Sequence, residues 1–137
     1  ANMKIVGATE YALVLYRDKL PKFNGNGKMV FNWFEWTKDN VTPKVHPTQK
    51  PVPLLKRLIE IFTDEGDVVI DPVAGSGTTL RAAAETNRSA YGFEIKKDFY
   101  KAAKEKVLTN FQTSLFYMGL DLFSREANNE KPESDRR

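Results

Sequence analysis

The feature that most constrains the fold is a predicted strand that leads through a glycine-rich turn into a helix. Residues 67–71 (DVVID) predict a short buried strand, and residues 78–85 predict an alanine-rich helix. Gly75 and Gly77 remove side chains that would obstruct a ligand, and the first N–H groups of the helix point back into the turn. The sequence therefore predicts a ligand-binding loop over Asp71, Pro72, Val73, Ala74, Gly75, Ser76, Gly77, Thr78 and Thr79.

The residue types of this loop separate three classes of ligand. A phosphate-binding loop needs a lysine after its last glycine, where this chain has Thr78, and a dinucleotide fingerprint needs a third glycine, where this chain has Leu80. Asp71, at the tip of the strand, would repel a pyrophosphate but suits a ligand with a positively charged amino group. S-adenosylmethionine carries such an ammonium group and no phosphate, so the loop favours that cofactor.

The next predicted strand, residues 90–94, ends in a second acidic residue. Glu94 follows Gly75 by 19 residues and lies in the run Tyr91-Gly92-Phe93-Glu94-Ile95. A spacing of about 20 residues is typical of an acid that accepts hydrogen bonds from ribose hydroxyls. The alternative is an exposed glutamate at a strand end, but after a loop of this kind we favour the ribose contact.

A third motif, His46-Pro47-Thr48-Gln49-Lys50-Pro51, predicts a turn into a helix over residues 51–62. The ammonium of Lys50 and the hydroxyl of Thr48 are both suited to holding a carboxylate. Locally, Thr48 is a candidate capping residue of this helix. The alternative is a plain helix start that is ordered by its prolines. We interpret His46, the one histidine of the chain, as a hydrogen-bonding turn residue rather than a catalyst.

Helices alternate with strands along the central part of the chain. A helix over residues 97–110, with Tyr100, Ala103 and Val107 on one face, follows the second strand. The order helix, strand, helix, strand, helix predicts parallel strands joined by crossovers, and so an α/β fold. Residues 10–16 (EYALVLY) are apolar on both alternating faces, which predicts an interior strand of the sheet and a further segment before it.

Residues 19–44 combine basic and aromatic side chains in a segment broken by proline and glycine. Such a composition serves nucleic-acid contact through phosphate pairing and base stacking. The alternative is that Phe31, Trp33 and Phe34 pack as a local core under a loop. For the aromatic residues the local core is the favoured interpretation, whereas for the lysines the two are evenly balanced.

Composition excludes several kinds of site. The chain has no cysteine and one histidine, which excludes disulfides, thiolate metal sites and a histidine-cluster metal site. No apolar run reaches the roughly 18–20 residues that span a bilayer, and the N-terminus has no secretory pattern, so we expect a soluble intracellular chain. The net charge of +3 supports a polyanionic partner only weakly. Residues 124–137 are polar and carry no net charge, and we expect a disordered tail there.

Taken together, HPTQKP, DPVAGSGTT and YGFEI resemble the N6-adenine and N4-cytosine DNA methyltransferases. Over residues 44–108 their order and spacing resemble the circularly permuted group, in which the catalytic half precedes the cofactor half. The resemblance implies part of a doubly wound, Rossmann-like methyltransferase sheet. Residues 1–18 would end the sheet of the catalytic half, residues 19–44 would form a loop region that contacts DNA, and residues 45–123 would bind S-adenosylmethionine.

The resemblance also implies a partner, a location and roles for individual residues. The partner would be double-stranded DNA, with adenine N6 favoured over cytosine N4, in the cytoplasm of a prokaryote or encoded by a phage. Thr48 and Lys50 would hold the methionine carboxylate and Glu94 the ribose. The family commonly has phenylalanine where this chain has Val73, which puts an aromatic contact from that position in doubt. The implied cofactor site, without a metal, comprises His46, Thr48, Gln49, Lys50, Asp71, Pro72, Ala74, Gly75, Ser76, Gly77, Thr78, Thr79, Glu94 and Ile95.

The catalytic tetrapeptide of that family is absent from the sequence. It consists of Asp, Asn or Ser followed by Pro-Pro and an aromatic residue, which together bind the amino group of a flipped base and stack on its ring. It needs two adjacent prolines, and none of the seven prolines here adjoins another. We therefore assign no catalytic residue, expect the tetrapeptide in an upstream or separate segment, and expect this chain alone to be inactive. The alternatives are a non-catalytic cofactor-binding module and a structural DNA-binding remnant.

Overall fold

The computed structural model describes residues 9–20, 23–35 and 37–109, together with the backbone of residues 116–119. Along the chain the elements are α1 (Val52–Phe62), β1 (Val68–Asp71), α2 (Thr78–Glu85), β2 (Ser89–Phe93), α3 (Lys97–Ala102), a π-helical turn (Ala103–Val107) and β3 (Phe116–Gly119). The alternation of helices and strands predicted from the sequence is confirmed. The third strand had no prediction, because so short an apolar run does not distinguish strand from helix.

The three strands form one parallel sheet in the order β1-β2-β3. Val68 pairs with Ser89 and Asp71 pairs with Gly92, and on the other side of β2 Ala90 pairs with Phe116. Parallel neighbours require crossovers, and α2 provides the one between β1 and β2. The carboxyl ends of β1 and β2 therefore lie side by side, and the glycine-rich loop and Glu94 follow them.

The core lies between α2 and one face of this sheet. Leu80, Ala82 and Ala83 of α2 are fully buried, and they belong to one cluster with Ala90 of β2 and Val52 of α1. Burial of such side chains stabilises a fold by about 1.5–3 kcal/mol for a residue the size of leucine. α1 packs beside α2, and Lys56 of α1 is paired with Glu85 of α2 at 3.1 Å.

The opposite face of the sheet is exposed among the residues that the structure describes. Val68 and Ile70 of β1 are 54% and 65% exposed, and Tyr91 of β2 is also exposed. The prediction of a buried strand over residues 67–71 was therefore right about the strand and wrong about its burial. The physical reason is that α2 covers one face only, so alternate side chains of β1 meet no helix.

Two loops meet where α1 ends. The backbone N–H of Asn24 donates to the carbonyl of Ile61, and the Asn24 side-chain amide donates to the carbonyl of Thr63 at 2.7 Å. The buried guanidinium of Arg88 donates to the hydroxyl and the carbonyl of Thr63 and to the carbonyl of Thr86, the residue that follows α2. Arg88 thus places a positive charge at the carboxyl ends of two helices, which their dipoles favour.

The helix predicted over residues 97–110 is present, but it changes geometry halfway. α3 gives way to the π-helical turn Ala103–Val107, where the N–H of Leu108 donates to the carbonyl of Ala103 at 2.9 Å. Ala103 and Val107 are fully buried and Tyr100 is half-buried against the core, which confirms the predicted inner face. The π-helical turn had no sequence signal in the prediction.

The strand predicted over residues 10–16 was wrong. These residues form neither a helix nor a strand, and their apolar side chains, such as Tyr11 and Leu13, are exposed. A strand forms only where a neighbour completes its hydrogen bonds, and none of the three described strands pairs with this segment. The tail predicted over residues 124–137 lies outside the described residues, and none of the described helices is long and apolar enough to traverse a bilayer.

Candidate functional site

The glycine-rich loop follows β1 and is held in shape by local hydrogen bonds. Oδ1 of Asp71 accepts from the N–H of Val73 at 3.1 Å, and the carbonyl of Ala74 accepts from the N–H of Gly77 at 2.7 Å. Gly75 and Gly77 have φ angles of 51° and 76°, in the left-handed region that favours glycine. The conformation itself thus requires both glycines.

Gly77 is also constrained by what lies beneath it. A Cβ atom at this position would lie 3.3 Å from Cβ of Ala103 and 3.4 Å from Cδ1 of Leu108. Both neighbours belong to the π-helical turn or directly follow it. The π-helical turn and Leu108 therefore pack against Gly77, the residue that precedes α2. Gly75 has more space, because the atom nearest to a Cβ placed there, Cδ2 of His46, would be 3.8 Å away.

Glu94 lies directly after β2 and holds the loop. Its side chain is 7% exposed, and Oε2 accepts from the N–H of Gly75 at 2.9 Å while Oε1 accepts from the N–H of Lys96 at 2.8 Å. The neighbouring residues form a second hydrogen bond, in which the N–H of Ala74 donates to the carbonyl of Phe93 at 2.8 Å. The alternative of an exposed glutamate at a strand end is therefore wrong, and the structure brings the two acidic motifs of the sequence together.

His46 connects the turn before α1 to the loop and to α3. Its ring packs edge-on against Phe99, with the ring centroids 4.3 Å apart. Nδ1 accepts from the N–H of Thr48 at 3.2 Å and lies 3.1 Å from the hydroxyl of Thr48. These contacts agree with the interpretation of His46 as a hydrogen-bonding turn residue.

Gln49 and Thr48 make contacts within the turn before α1. Oε1 of Gln49 accepts from the N–H of Val45, and Nε2 donates to the carbonyl of Pro43, so this amide braces the turn itself. Thr48 does not cap α1, because the first N–H of the helix, that of Val52, donates to Oδ2 of Asp39 instead. The capping prediction was therefore wrong, and a residue thirteen positions earlier supplies the acceptor.

The ammonium of Lys50 already has a carboxylate partner in this structure. Nζ of Lys50 donates to Glu10 at 2.7 Å, across 40 residues of sequence, and both side chains are about half-exposed. The pair shows that a carboxylate fits at Lys50. No sequence signal singled out Glu10, because the pairing depends on how the chain folds back before the turn.

The other predicted site residues divide into buried and exposed groups. Ser76 and Thr78 are buried, and their hydroxyl oxygens lie 3.2 Å apart. Asp71 and Thr79 are partly exposed, whereas Pro72, Val73 and Ile95 are exposed. Among the predicted residues, the described contacts join the loop to Glu94 through Gly75, and bring His46 of the turn before α1 close to Gly75.

Gly92 shapes the site, although no functional motif of the sequence singles it out. A Cβ atom here would lie 2.6 Å from Cδ1 of Leu80 and 3.1 Å from Cβ of Ala74. The absence of a side chain lets α2 approach β2 closely just below the loop. A glycine inside a predicted strand is the signal that could have found it.

The described aromatic side chains of residues 19–44 are mostly exposed. Phe31 and Trp33 are 77% and 67% exposed, with their ring centroids 6.4 Å apart, so the prediction of a local core was wrong for them. Phe34 is half-buried, with the guanidinium of Arg57 4.3 Å from its ring centroid.

Within the described part of the chain no group of three or more histidine or acidic side chains is placed to hold a metal ion.

Comparison with known proteins gives consistent relatives. A family model described as DNA methylase matches residues 8–105. The type II methyltransferase M.HpaI of Haemophilus parainfluenzae is 43% identical over 72 residues, which are 53% of this chain and 23% of that protein. The DNA adenine methyltransferase YhdJ of Escherichia coli is 35% identical over 96 residues, which are 68% of this chain and 33% of that protein.

A solved structure resembles the fold as well as the sequence. The crystal structure of the M1.HpyAVI–SAM complex superposes with a TM-score of 0.54 at 34% identity, covering 61% of this chain and 42% of that one. The chain spans about a quarter to a third of the two curated relatives.

Proposed function

Because the chain belongs to the DNA methylase family whose model matches residues 8–105, we propose that it is the cofactor-binding portion of a DNA methyltransferase that uses S-adenosylmethionine. The M1.HpyAVI structure, which resembles this chain in both fold and sequence, was solved as a complex with SAM. That complex supports the choice of cofactor. Bacterial relatives, among them type II methyltransferases, support a place in a restriction-modification system in the bacterial cytoplasm.

The observation that carries the proposal is the junction between the acid-tipped loop and Glu94. Asp71 ends β1, Glu94 follows β2, and the loop between β1 and α2 is bonded to Glu94 through the N–H of Gly75. Ligands of open α/β sheets bind at the carboxyl ends of the strands. An acidic strand tip disfavours a phosphate there and favours a ligand with an ammonium group.

The residues present fit the three polar parts of S-adenosylmethionine. A carboxylate has about four lone-pair positions, so Glu94, which accepts two bonds from backbone N–H groups, keeps acceptors for ribose hydroxyls. The carboxylate of Glu10 on Lys50 is a stand-in for the methionine carboxylate, with Thr48 nearby in sequence. We assign the ammonium group to Asp71. When bound, the cofactor supplies an activated methyl group, and these residues bind and orient it.

For the substrate we propose adenine N6 in double-stranded DNA. A relative that carries the name DNA adenine methyltransferase supports adenine over cytosine. The exposed rings of Phe31 and Trp33, in a segment that also contains several lysines, support DNA contact by residues 19–44. Exposed aromatic rings stack on bases, and lysines pair with phosphates.

We further propose that methyl transfer needs a segment that carries the Pro-Pro-aromatic tetrapeptide. That motif is absent from these 137 residues, and without it the target amino group lacks its hydrogen-bond acceptors. A non-catalytic cofactor-binding or DNA-binding module is the second candidate function, and it is favoured by the same absence. Adding the segment of a relative that carries the tetrapeptide distinguishes the two candidate functions. If the chain is a methyltransferase portion, a labelled methyl group should then be transferred to DNA; if it is a non-catalytic module, no transfer should occur.

Calorimetric titration with S-adenosylmethionine tests the cofactor assignment directly. The wild-type chain should bind, and Asp71→Ala should weaken binding at least roughly tenfold, the loss of one charge-assisted contact. Asp98→Ala is the matched control, since Asp98 is exposed in the first turn of α3. A folded wild-type chain that binds no S-adenosylmethionine would refute the proposal, as would equal affinities for wild type and Asp71→Ala.

A further inference from the structure

Glu94 contacts the polypeptide backbone at two points, in addition to any ligand. Its carboxylate joins the N–H of Gly75, in the loop after β1, to the N–H of Lys96, the residue that precedes α3. We propose that Glu94 is the positioning residue of the glycine-rich loop, so that one side chain both shapes the loop and receives the ribose. This inference rests on the proposed function, which assigns Glu94 to the ribose alone.

Burial is the first argument for a positioning role. A carboxylate that is 7% exposed has given up most of its water, and it needs compensating donors. Both donors are backbone N–H groups at 2.9 and 2.8 Å, which is the range of charge-assisted hydrogen bonds. The two bonds therefore hold the carboxylate of Glu94 between the loop and the residue that precedes α3.

The conformation of Gly75 is the second argument. Its φ angle of 51° lies in the left-handed region, which is one of many conformations open to glycine. Contacts with the rest of the chain must therefore select this one. Within the described chain, the bond to Glu94 and the neighbouring bond from Ala74 to Phe93 tie this part of the loop to the end of β2. Loss of the bond from Gly75 to Glu94 would release the apex of the loop, while the bond from Ala74 to Phe93 would remain.

The proposal separates two consequences of changing Glu94. If Glu94 acts on the ribose alone, its replacement weakens only ligands with ribose hydroxyls. If it also positions the loop, the replacement weakens ligands that lack those hydroxyls, and it loosens the loop when no ligand is present. A preorganised loop binds more tightly because less ordering accompanies binding.

The test uses the full chain with Glu94→Gln and, as a matched control, Glu65→Gln at an exposed position. Glutamine has one acceptor oxygen, so one of the two hydrogen bonds is lost without loss of volume. Glu94→Met removes both acceptors at a similar volume, so the N–H of Gly75 then has no partner at position 94. Hydrogen exchange of the Gly75 amide is measured by NMR in the ligand-free chain. Affinities are measured by calorimetry for S-adenosylhomocysteine and for its 2′,3′-dideoxy analogue.

We expect the Gly75 amide to exchange roughly tenfold faster in Glu94→Met, and the dideoxy analogue to bind this variant several-fold more weakly than wild type. Unchanged exchange of the Gly75 amide in Glu94→Met, or equal binding of the dideoxy analogue, overturns the positioning role. If Glu94→Met does not fold, exchange of the Gly75 and Lys96 amides is measured in Glu94→Gln, which keeps only one of the two acceptors. One of the two amides should then exchange faster, and unchanged exchange of both would count against the proposal.

Failure of the proposed function would look different. In that case the wild-type chain binds neither ligand, while the exchange of the Gly75 amide still responds to Glu94→Met. The exchange measurement therefore decides the positioning role whether or not S-adenosylmethionine is the cofactor.

Discussion

Oδ2 of Asp39 accepts a hydrogen bond from the backbone N–H of Val52, at 3.1 Å and across thirteen residues. Val52 is the first residue of α1, so an acid from the basic and aromatic segment caps the helix that follows the cofactor-site turn. Oδ1 of the same carboxylate accepts from the N–H groups of Val41 and Thr42. The segment that we assign to DNA contact is thereby attached to the helix start.

Replacing Asp39 should destabilise the chain. We expect Asp39→Ala to lower the free energy of unfolding by about 1–2 kcal/mol, the usual cost of losing a cap. Urea denaturation followed by circular dichroism measures this. Asn40→Ala, at the exposed neighbouring position, is the control and should change little. Equal stabilities of the two variants would show that the contact with Val52 contributes nothing.

The same residue predicts a pH dependence of stability. Burial acts to raise the pKa of Asp39, but the hydrogen bonds from Thr42, Val52 and Val41 outweigh it and lower the pKa from 3.8 to about 2. The lowered pKa means that the charged form stabilises the fold at pH values above about 3.8, and that this contribution is lost as the pH falls towards 2. Asp39→Asn should flatten the unfolding free energy between pH 4 and pH 2 relative to wild type; an unchanged slope would contradict the assignment.

Gly92 should not tolerate a methyl group. A Cβ atom 2.6 Å from Cδ1 of Leu80 forces this fully buried side chain to shift, so Gly92→Ala should cost about 1–3 kcal/mol of stability. A double-mutant cycle with Leu80→Ala checks the cause. The double variant should be less destabilised than the sum of the single variants, because the smaller side chain removes the clash. Additive effects would mean that Gly92→Ala acts through some other route.

Arg88 should contribute strongly to stability without touching the cofactor site. Its buried guanidinium donates to Thr63 and Thr86, and Arg88→Ala would leave these acceptors without it. We expect a loss of about 2–3 kcal/mol, as for hydrogen bonds to a charged group. Arg17→Ala, at a fully exposed position, is the control. Thermal denaturation of the three proteins measures the difference, and a melting temperature of Arg88→Ala equal to that of wild type would rule out this role.

Glu10 should compete with the cofactor for Lys50. The pair is half-exposed, and such pairs are worth about 0–1 kcal/mol, so Glu10→Gln should raise the affinity for S-adenosylmethionine by up to about fivefold. Methylthioadenosine, which lacks the amino-acid part, should bind wild type and variant equally. Calorimetry with both ligands separates a local competition from a general change. Weaker binding of S-adenosylmethionine to Glu10→Gln would instead make Glu10 part of the site.

The local part of the fold could be predicted from the sequence. The helix Thr78–Glu85 and the strand Val68–Asp71 follow from hydrophobic spacing, and the loop between them follows from glycine and proline positions. The meeting of this loop with Glu94 follows from parallel topology, because the carboxyl ends of neighbouring parallel strands share one edge. These features depend on residues close in sequence or on one rule of chain connection.

The contacts that could not be predicted join residues far apart in sequence. The cap from Asp39 to Val52 and the pair of Lys50 with Glu10 depend on the path of the intervening loops, which no periodicity describes. The exposure of Val68 also escaped prediction, because an apolar run looks the same whether one or two faces are covered. The bonds of the Gln49 amide to Val45 and Pro43 were not predicted either, because the sequence motif does not show which backbone groups face this side chain.

The attachment of the glycine-rich loop has an evolutionary consequence. Both hydrogen bonds that tie the loop to the sheet end at Phe93 and Glu94, within the same stretch of chain. The segment that we propose for DNA contact lies outside these bonds, and it is attached to α1 through Asp39 and Val52. Any replacement of that segment by the corresponding segment of a relative must therefore bring its own acceptor for the N–H of Val52, and an acid at position 39 would mark the segments that can be transplanted.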